Sequence, residues 1–343
     1  MSAKAVDLLE KVIAGNDLSE EESASVLRGM ASGDLPAPLA GGLLVALGSK
    51  GEVASEIRGF AKAMRELAIR PPVPEGEPYV DIVGTGGDGS GSLNLSTGSA
   101  LLAAACGAKV LKHGNRSISS RSGSADVLKA LGLPIPLDEQ QTVACLEASG
   151  FTFLFAPHYH PAMKNIAPVR VALGVRTMFN ILGPLANPAR PPFHVIGAFS
   201  EPMAELMAYT LSGMDAERSL VVHGAPSWDE PTPIGPFLCF DVRPGSVERT
   251  VRDPADYGLS RCVPQDLEGG TPEENATRLR AALSGGDTAA HRDALALGAA
   301  LALELTGVVT DAEAGVERAR EVLTDGTGAR FIEGLESFGE ALC

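Results

Sequence analysis

DIVGTGGDGSGSLNLSTGSA, residues 81–100, decides the fold of this chain. Tyr79-Val80-Asp81-Ile82-Val83 reads as a short strand leading into it, and from about Thr97 to Gly107 the chain reads as an apolar helix. Between them lies a loop dense in glycine and hydroxyl groups. Gly84-Thr85-Gly86-Gly87-Asp88-Gly89 satisfies the G-x-G-x-x-G spelling, but a dinucleotide fold also needs an acid about 20 residues further on to hold a ribose. Lys109, Lys112 and His113 stand there instead, so the nicotinamide reading fails. No G-x-x-x-x-G-K-[ST] pattern replaces it. What remains is an anion cradle. Glycines let backbone amides approach closely, Asn94-Leu95-Ser96-Thr97 offers donors where the helix begins, and the helix dipole favours a phosphate there.

The next strand, Lys109-Val110-Leu111-Lys112, runs into a second glycine- and serine-rich loop, His113 to Ser124, followed by a helix around Asp126 to Leu131. Lys109, Lys112, Arg116 and Arg121 outnumber Asp81 and Asp88 by two across residues 81–125, inside a chain whose net charge is −15. Cations interleaved with serines and glycine suit anion contact by side chain and backbone together. Two such loops on adjacent strand ends suit a ligand with phosphates at both ends. Phe151 to Phe155, His194 to Phe199 and Ser219 to Val222 are further strand candidates separated by helical stretches. Alternating strands and helices predict an α/β fold, a mainly parallel central sheet flanked by helices. Three C-terminal helices are expected, at about Pro272 to Leu283, His291 to Leu305 and Ala312 to Leu323.

Upstream of Tyr79 the texture is helical. Ser19-Glu20-Glu21-Glu22 spells a capping box, Gly33 closes that segment, and Val53, Ile57, Phe60, Met64 and Leu67 recur at steps of three and four. Pro71, Pro72 and Pro74 then mark a linker. The net charge of −15 over 343 residues argues against a nucleic-acid surface. Five cysteines without C-x-x-C spacing predict free thiols in a reducing cytosol. No signal pattern and no apolar run of about 18 residues is present, so a cytoplasmic protein with no membrane partner is expected.

Gly-Thr-Gly-Gly-Asp-Gly-Ser, then Asn-Leu-Ser-Thr, then Lys-His-Gly-Asn-Arg-Ser-Ile-Ser-Ser resembles the signature of the anthranilate phosphoribosyltransferases. The likeness continues through FLFAPHYHPAMKNIAPVRVALGVRTMFNILGPLANP (153–188) and the Asp-Pro-Ala-Asp-Tyr-Gly-Leu stretch near residue 256. It implies a small all-helical domain of residues 1–72, joined by a central helical segment near 161–185. That domain packs on an α/β domain of residues 73–343, the nucleoside phosphorylase/phosphoribosyltransferase type. A homodimer through the helical domains and magnesium carried by pyrophosphate are implied too. Matched position by position, Gly84, Gly87, Asp88, Ser92, Asn94, Leu95, Ser96 and Thr97 fall on the first contact with phosphoribosyl pyrophosphate (PRPP). Lys112, His113, Gly114, Asn115, Arg116, Ser117, Ile118, Ser119, Ser120 and Ser124 fall on the second. Asn115 and Arg170 match residues that hold anthranilate, Gly84 borders both ligands, and Ser96, Asp229 and Glu230 match magnesium positions.

These residue types fit the chemistry so implied. Magnesium takes hard oxygen ligands, commonly one or two carboxylates plus substrate phosphates. An arginine fork matches a carboxylate at two points, which suits Arg170 to the acceptor. Displacing pyrophosphate from a sugar carbon calls for charge neutralisation and positioning, and no Ser-His-Asp or Cys-His signature suggests a covalent nucleophile. His158-Tyr159-His160 is a poor zinc signal, and Met163, Met178 and Phe179 read as helix core. Competing readings are a relative using another aromatic acceptor, a nucleoside phosphorylase, and a non-catalytic nucleic-acid-binding relative. The Asp229-Glu230 pair counts against the second and the net charge against the third.

Overall fold

The computed structural model describes residues 2–117 and 121–342. Helices Ser2–Ile13 (α1), Glu20–Ser32 (α2), Ala37–Lys50 (α3) and Ala54–Glu66 (α4) open the chain. The capping box forms as spelled. Glu22 N–H donates to Ser19 Oγ at 3.2 Å and Ser19 N–H to Glu22 Oε2 at 2.7 Å. Gly33 ends α2 in the left-handed region at φ +79°. The stripe read from Val53 becomes α4, with Ile57, Phe60 and Met64 buried.

Strands and helices then alternate: Tyr79–Gly84 (β1), Leu95–Ala105 (α5), Lys109–Gly114 (β2), Ser124–Ala130 (α6), Glu139–Ser149 (α7) and Phe151–Phe155 (β3). After β3 come Ala156–Tyr159 (α8), Met163–Leu173 (α9), Phe179–Leu185 (α10), Phe193–Gly197 (β4), Glu201–Leu211 (α11) and Arg218–His223 (β5). A hairpin, Phe237–Arg243 (β6) and Ser246–Arg252 (β7), precedes the helices Pro272–Leu283 (α12), Ala289–Leu305 (α13), Ala312–Thr324 (α14) and Thr327–Ala341 (α15).

The seven strands form one sheet in the order β3-β2-β1-β4-β5-β6-β7. The first five are mutually parallel, and β6 and β7 add antiparallel at one edge. The sheet is thus mainly parallel, as expected. Successive strand residues face opposite layers, and both layers are covered. Val195, Leu220 and Val222 enter a core with α5, α13 and α14, while Ile196 and Val221 enter another with α4, α10 and α11. From Ala294 to Leu303 helix α13 is apolar on every side because it is enclosed: Leu295, Leu297, Leu301 and Leu303 are all fully buried. Each such leucine contributes about 1.5–3 kcal/mol of burial.

The second core also gathers Ile166, Met178 and Phe179 with the N-terminal Leu27, Phe60 and Met64. Phe60 meets Phe179 edge-on with centroids 6.0 Å apart, and Asn165 Nδ2 donates to Ala31 O at 2.7 Å. Segment 161–185 is therefore pinned to the opening helices, and Met178 and Phe179 take core positions. Cys106, Cys145, Cys239 and Cys262 are free thiols, while Cys343 lies outside the described residues. No helix among those residues is long and apolar enough to cross a membrane.

Along β1 to β5 the chain builds outward from β1 in one direction through β2 and β3, then returns to its other side for β4 and β5. The order reverses between β1 and β4. In open α/β sheets the crevice beyond the carboxyl ends of the strands at such a point is where ligands bind.

Candidate functional site

Every glycine-rich or acidic segment singled out from the sequence leaves the sheet at that edge. The loop after β1 is built by glycines in a conformation other residues resist. Gly86, Gly87, Gly89 and Gly91 have φ of +68°, +81°, +71° and +63°. Asp88 Oδ1 accepts from Ser90 N–H and Ser90 Oγ, both at 3.0 Å, which tightens the turn. The loop ends at the first turn of α5. There the side chains of Leu95 and Thr97 are buried in the core, so these two residues offer the site their backbone. Ser96 alone of the three presents its side chain toward the crevice, where Lys112 Nζ donates to its Oγ at 3.4 Å.

Asp229 and Glu230 lie across the strand ends. Asp229 Oδ2 accepts from Gly86 N–H at 2.5 Å, Asp229 N–H donates to Asp88 Oδ2 at 3.4 Å, and Glu230 Oε1 accepts from Ser96 N–H at 2.9 Å. The crossing is possible because three strand-end residues lack a side chain. A Cβ on Gly84 would meet the Asp229 carboxylate, one on Gly197 would sit inside the Asp229 carbonyl, and one on Gly224 would strike the Glu230 carbonyl. Trp228 anchors the segment from below. Its ring is buried in the first core, and its backbone pairs with Gly224 in both directions at 2.9 and 3.0 Å.

Charge is out of balance here. Burial and the neighbouring Asp88 push the Asp229 carboxyl up to about 7, and burial with Asp229 alongside drives Glu230 well above its ordinary value. The cation among them is Lys112, wholly buried at the end of β2, where it also donates to Ile82 O. Burial pulls it down to about 8 against the pull of Asp81, Glu230 and Asp229. Asp81 is pushed up to about 6 by burial, although Lys112, the Asn187 amide (2.8 Å) and His113 N–H (3.2 Å) all oppose that shift. Among the described residues no three His, Cys, Asp or Glu side chains form a ready metal shell. Nevertheless, hard oxygens crowded beside a single lysine are the donor set magnesium uses when substrate phosphates and water complete its coordination.

The second loop is tied to the first through Asn94. Asn94 Nδ2 donates to Ser122 O at 3.0 Å, while its Oδ1 accepts from Ser122 Oγ at 2.9 Å and from Asn275 Nδ2 at 2.8 Å. Asn94 therefore fastens the loops together, and Ser122 and Asn275 emerge as supports that no sequence motif indicated. Asp126 Oδ2 accepts from Ser117 N–H and Gly123 N–H at 3.3 and 3.2 Å, closing the loop onto α6, whose first residue is Ser124. Gly114 ends β2 with no room for a Cβ beside the Phe153 ring. Asn115 caps the next amide, donated by Arg116 N–H at 2.7 Å, and the Arg116 guanidinium lies over the Phe155 ring at 5.8 Å. Ile118, Ser119 and Ser120 lie outside the described residues.

His113 turns away from this loop. Its ring is buried, Nδ1 faces Gly183 O at 3.1 Å, and the His160 ring lies 5.1 Å off. Burial and His160 push it down to about 3, so it adds no positive charge to an anion site. His158 instead meets Glu139 at 3.2 Å, and the two flanking histidines of His158-Tyr159-His160 face different partners.

The opposite wall comes from α9 and α10. Arg170 is half-buried and stacks over the Phe179 ring at 5.2 Å. Burial lowers its pKa, and no carboxylate among the described residues offsets the loss. Arg176, in the connector between the two helices, donates from Nη2 to Gly87 O at 2.9 Å.

The model of the glycosyl transferase family a/b domain matches residues 76–329, and that of its helical bundle domain matches 6–68. Anthranilate phosphoribosyltransferase of Desulforudis audaxviator is 43% identical over 334 residues, spanning 97% of this chain and 96% of that protein. This chain belongs to the anthranilate phosphoribosyltransferase family. The crystal structure of the Thermus thermophilus family member superposes with a TM-score of 0.89 at 44% identity, covering 97% of this chain and 99% of that one. The Saccharomyces cerevisiae member, solved in complex with PRPP and Mg, shares the fold with a TM-score of 0.87 at 24% identity and 99% coverage of both chains. Asp229-Glu230 stood out in the sequence only through the resemblance to this family. Its glycine seats on β1, β4 and after β5 were legible only once the strands were aligned.

Proposed function

We propose that this chain transfers the 5-phosphoribosyl group of PRPP to the amine of anthranilate, giving N-(5-phosphoribosyl)anthranilate and pyrophosphate, a step of tryptophan biosynthesis. One observation carries the reading. Two anion-suited loops and an acidic pair meet at the sheet's reversal point, while Arg170 on α9 stacks on Phe179 with no carboxylate partner among the described residues. The donor lies across the first loop (Gly84, Gly87, Asp88, Ser92, Asn94, Ser96, and the backbone of Leu95 and Thr97) and the second (Lys112 and Gly114 to Ser120, with Ser124). Anthranilate lies between Asn115, Gly84 and Arg170, whose guanidinium takes the ortho carboxylate.

Asp229, Glu230 and Ser96 would hold magnesium, which when bound would supply charge neutralisation for pyrophosphate. The chain's own residues do the rest. Loop amides and the α5 start hold the leaving group, Lys112 offsets its charge, and Arg170 presents the acceptor in line. The C1–O bond breaks with its electron pair departing on pyrophosphate, the amine lone pair forms the C1–N bond, and the amine proton is released to solvent. No protein nucleophile is consumed. A homodimer through the helical units, the division at residues 1–72, 161–185 and 73–343, and a cytoplasmic location complete this reading. The shared packing of Ile166, Met178 and Phe179 with α2 and α4 supports the second of these. Loss of anthranilate fluorescence on mixing the chain with PRPP and magnesium is the expected result. Unchanged fluorescence at saturating donor would overturn the assignment.

A further inference from the structure

We propose that Arg176 is a donor-side residue that binds the pyrophosphate of PRPP across the first loop. The inference rests on the function proposed above and adds a residue that neither the motifs nor the resemblance assigned. Arg176 stands two residues beyond Gly174, the left-handed cap of α9, and its side chain is exposed. Its guanidinium stacks on the Phe199 ring, 5.2 Å from the centroid, and Nη2 donates to Gly87 O at 2.9 Å. The fit is close. A Cβ on Gly87 would lie 2.6 Å from Nη2 and 3.0 Å from Cζ, so this glycine serves the approach of the arginine as well as its own φ of +81°.

Charge gives the reason for a cation here. Asp88, Asp229 and Glu230 surround the loop, the loop itself contains no Lys or Arg, and the cation beneath is Lys112, buried and already donating to Ile82 O. A pyrophosphate entering this place brings more negative charge. Arg116 and Arg170 are stacked on Phe155 and Phe179, each at another wall. Arg176 is the arginine that touches the loop, and no carboxylate among the described residues pairs with it. A guanidinium has five N–H donors in a planar fork. One is spent on Gly87 O, which leaves the others for phosphate oxygens while Phe199 fixes the plane. The end of α9 and the connector that follows it thus deliver one arginine to each substrate, Arg170 to the acceptor and Arg176 to the donor.

The test uses the full chain with magnesium at fixed ionic strength, comparing wild type, Arg176→Ala and Arg176→Lys. Arg176→Ala is expected to raise the KM for PRPP about 10- to 100-fold, the loss of one or two charge-assisted hydrogen bonds. The anthranilate KM at saturating donor should stay within about twofold by the same reasoning, because no acceptor contact is removed. Product inhibition by pyrophosphate should weaken in parallel, and Arg176→Lys should fall between. An unchanged PRPP KM, or equal rises in both KM values, would overturn the role of Arg176. Calorimetric titration of PRPP separates this from the function itself. Should wild type bind PRPP yet leave anthranilate untouched, the proposed reaction fails, and the difference in PRPP affinity between wild type and Arg176→Ala still decides the arginine.

Discussion

Gly197→Ala is the sharpest probe of how the acidic pair is seated. The new methyl would sit inside the Asp229 carbonyl, a backbone atom with no rotamer to escape into. Restoring an ordinary contact requires that peptide to retreat by roughly 2 Å. Overpacking of this kind costs about 1–3 kcal/mol, a fraction of the stability of a folded domain, so the variant should remain folded with a lowered melting temperature. Activity should suffer far more. Asp229 Oδ2 and Glu230 Oε1 are fixed on Gly86 N–H and Ser96 N–H at 2.5 and 2.9 Å, and a misplacement of about 1 Å at a reacting centre costs on the order of 100-fold. We therefore expect kcat/KM to fall by about two orders of magnitude or more, with a raised magnesium requirement. Initial rates by anthranilate fluorescence across a magnesium series, beside a thermal melt, measure both. Near-wild-type turnover at unchanged magnesium demand would refute the claim that the bare strand ends position the acids.

Three further outcomes are expected. Arg170→Ala should raise the anthranilate KM at least about tenfold, the scale of a charged hydrogen bond, while sparing PRPP; equal losses would show the acceptor assignment is wrong. Asp229, pushed up to about 7 in the metal-free protein, must shed its proton to meet magnesium, so apparent magnesium affinity should fall about tenfold per pH unit below about 7. In the stability of the unliganded protein the raised pKa works in the opposite direction. The contribution is full at pH below about 4 and is lost as pH rises through about 7, with Asp81 adding to it. Magnesium should thus raise the melting temperature more at pH 8 than at pH 6, and equal shifts would contradict the mechanism. Asn275→Ala removes the donor to Asn94 Oδ1 and the acceptor for Gly270 N–H. A loss of about 1–3 kcal/mol is expected, together with weaker PRPP binding, and a melt and donor KM equal to wild type would exclude Asn275 as the tie between the loops.

What the sequence displayed was local. The first two strands and their loops follow from short apolar runs ending in glycine, and the bounds read for Phe151–Phe155 and Pro272–Leu283 match the structure. Helix α5 begins at Leu95 rather than Thr97, because its opening turn is spelled by hydroxyls that also suit a loop. The hairpin of β6 and β7 was missed. Its edge strand, SVERTVR, is mostly exposed and charged, the composition that blunts an edge and hides it from a hydrophobic pattern. Helix α15 was missed as well, since Gly328, Gly334 and Gly339 lower its propensity and packing of Ile332 and Leu335 rescues it. In the site, the loop glycines were visible, whereas Gly197, Asn275 and Arg176 act far along the chain from their partners, Arg176 at 89 residues from Gly87 and Asn275 at 181 from Asn94. Only the strand order brings them together. His113 misled for the opposite reason: its neighbours in the chain are ligand-like, but strand alternation sends its ring inward.

Glu230 on the Ser96 amide has a consequence for how the resting protein receives a guest. One N–H serves one strong acceptor at a time, so an incoming phosphate oxygen finds its berth at the head of α5 already taken by the chain itself. Admission means eviction. The carboxylate turned out of that berth is released beside Asp229, at the moment when a divalent ion arriving with the phosphate has use for it.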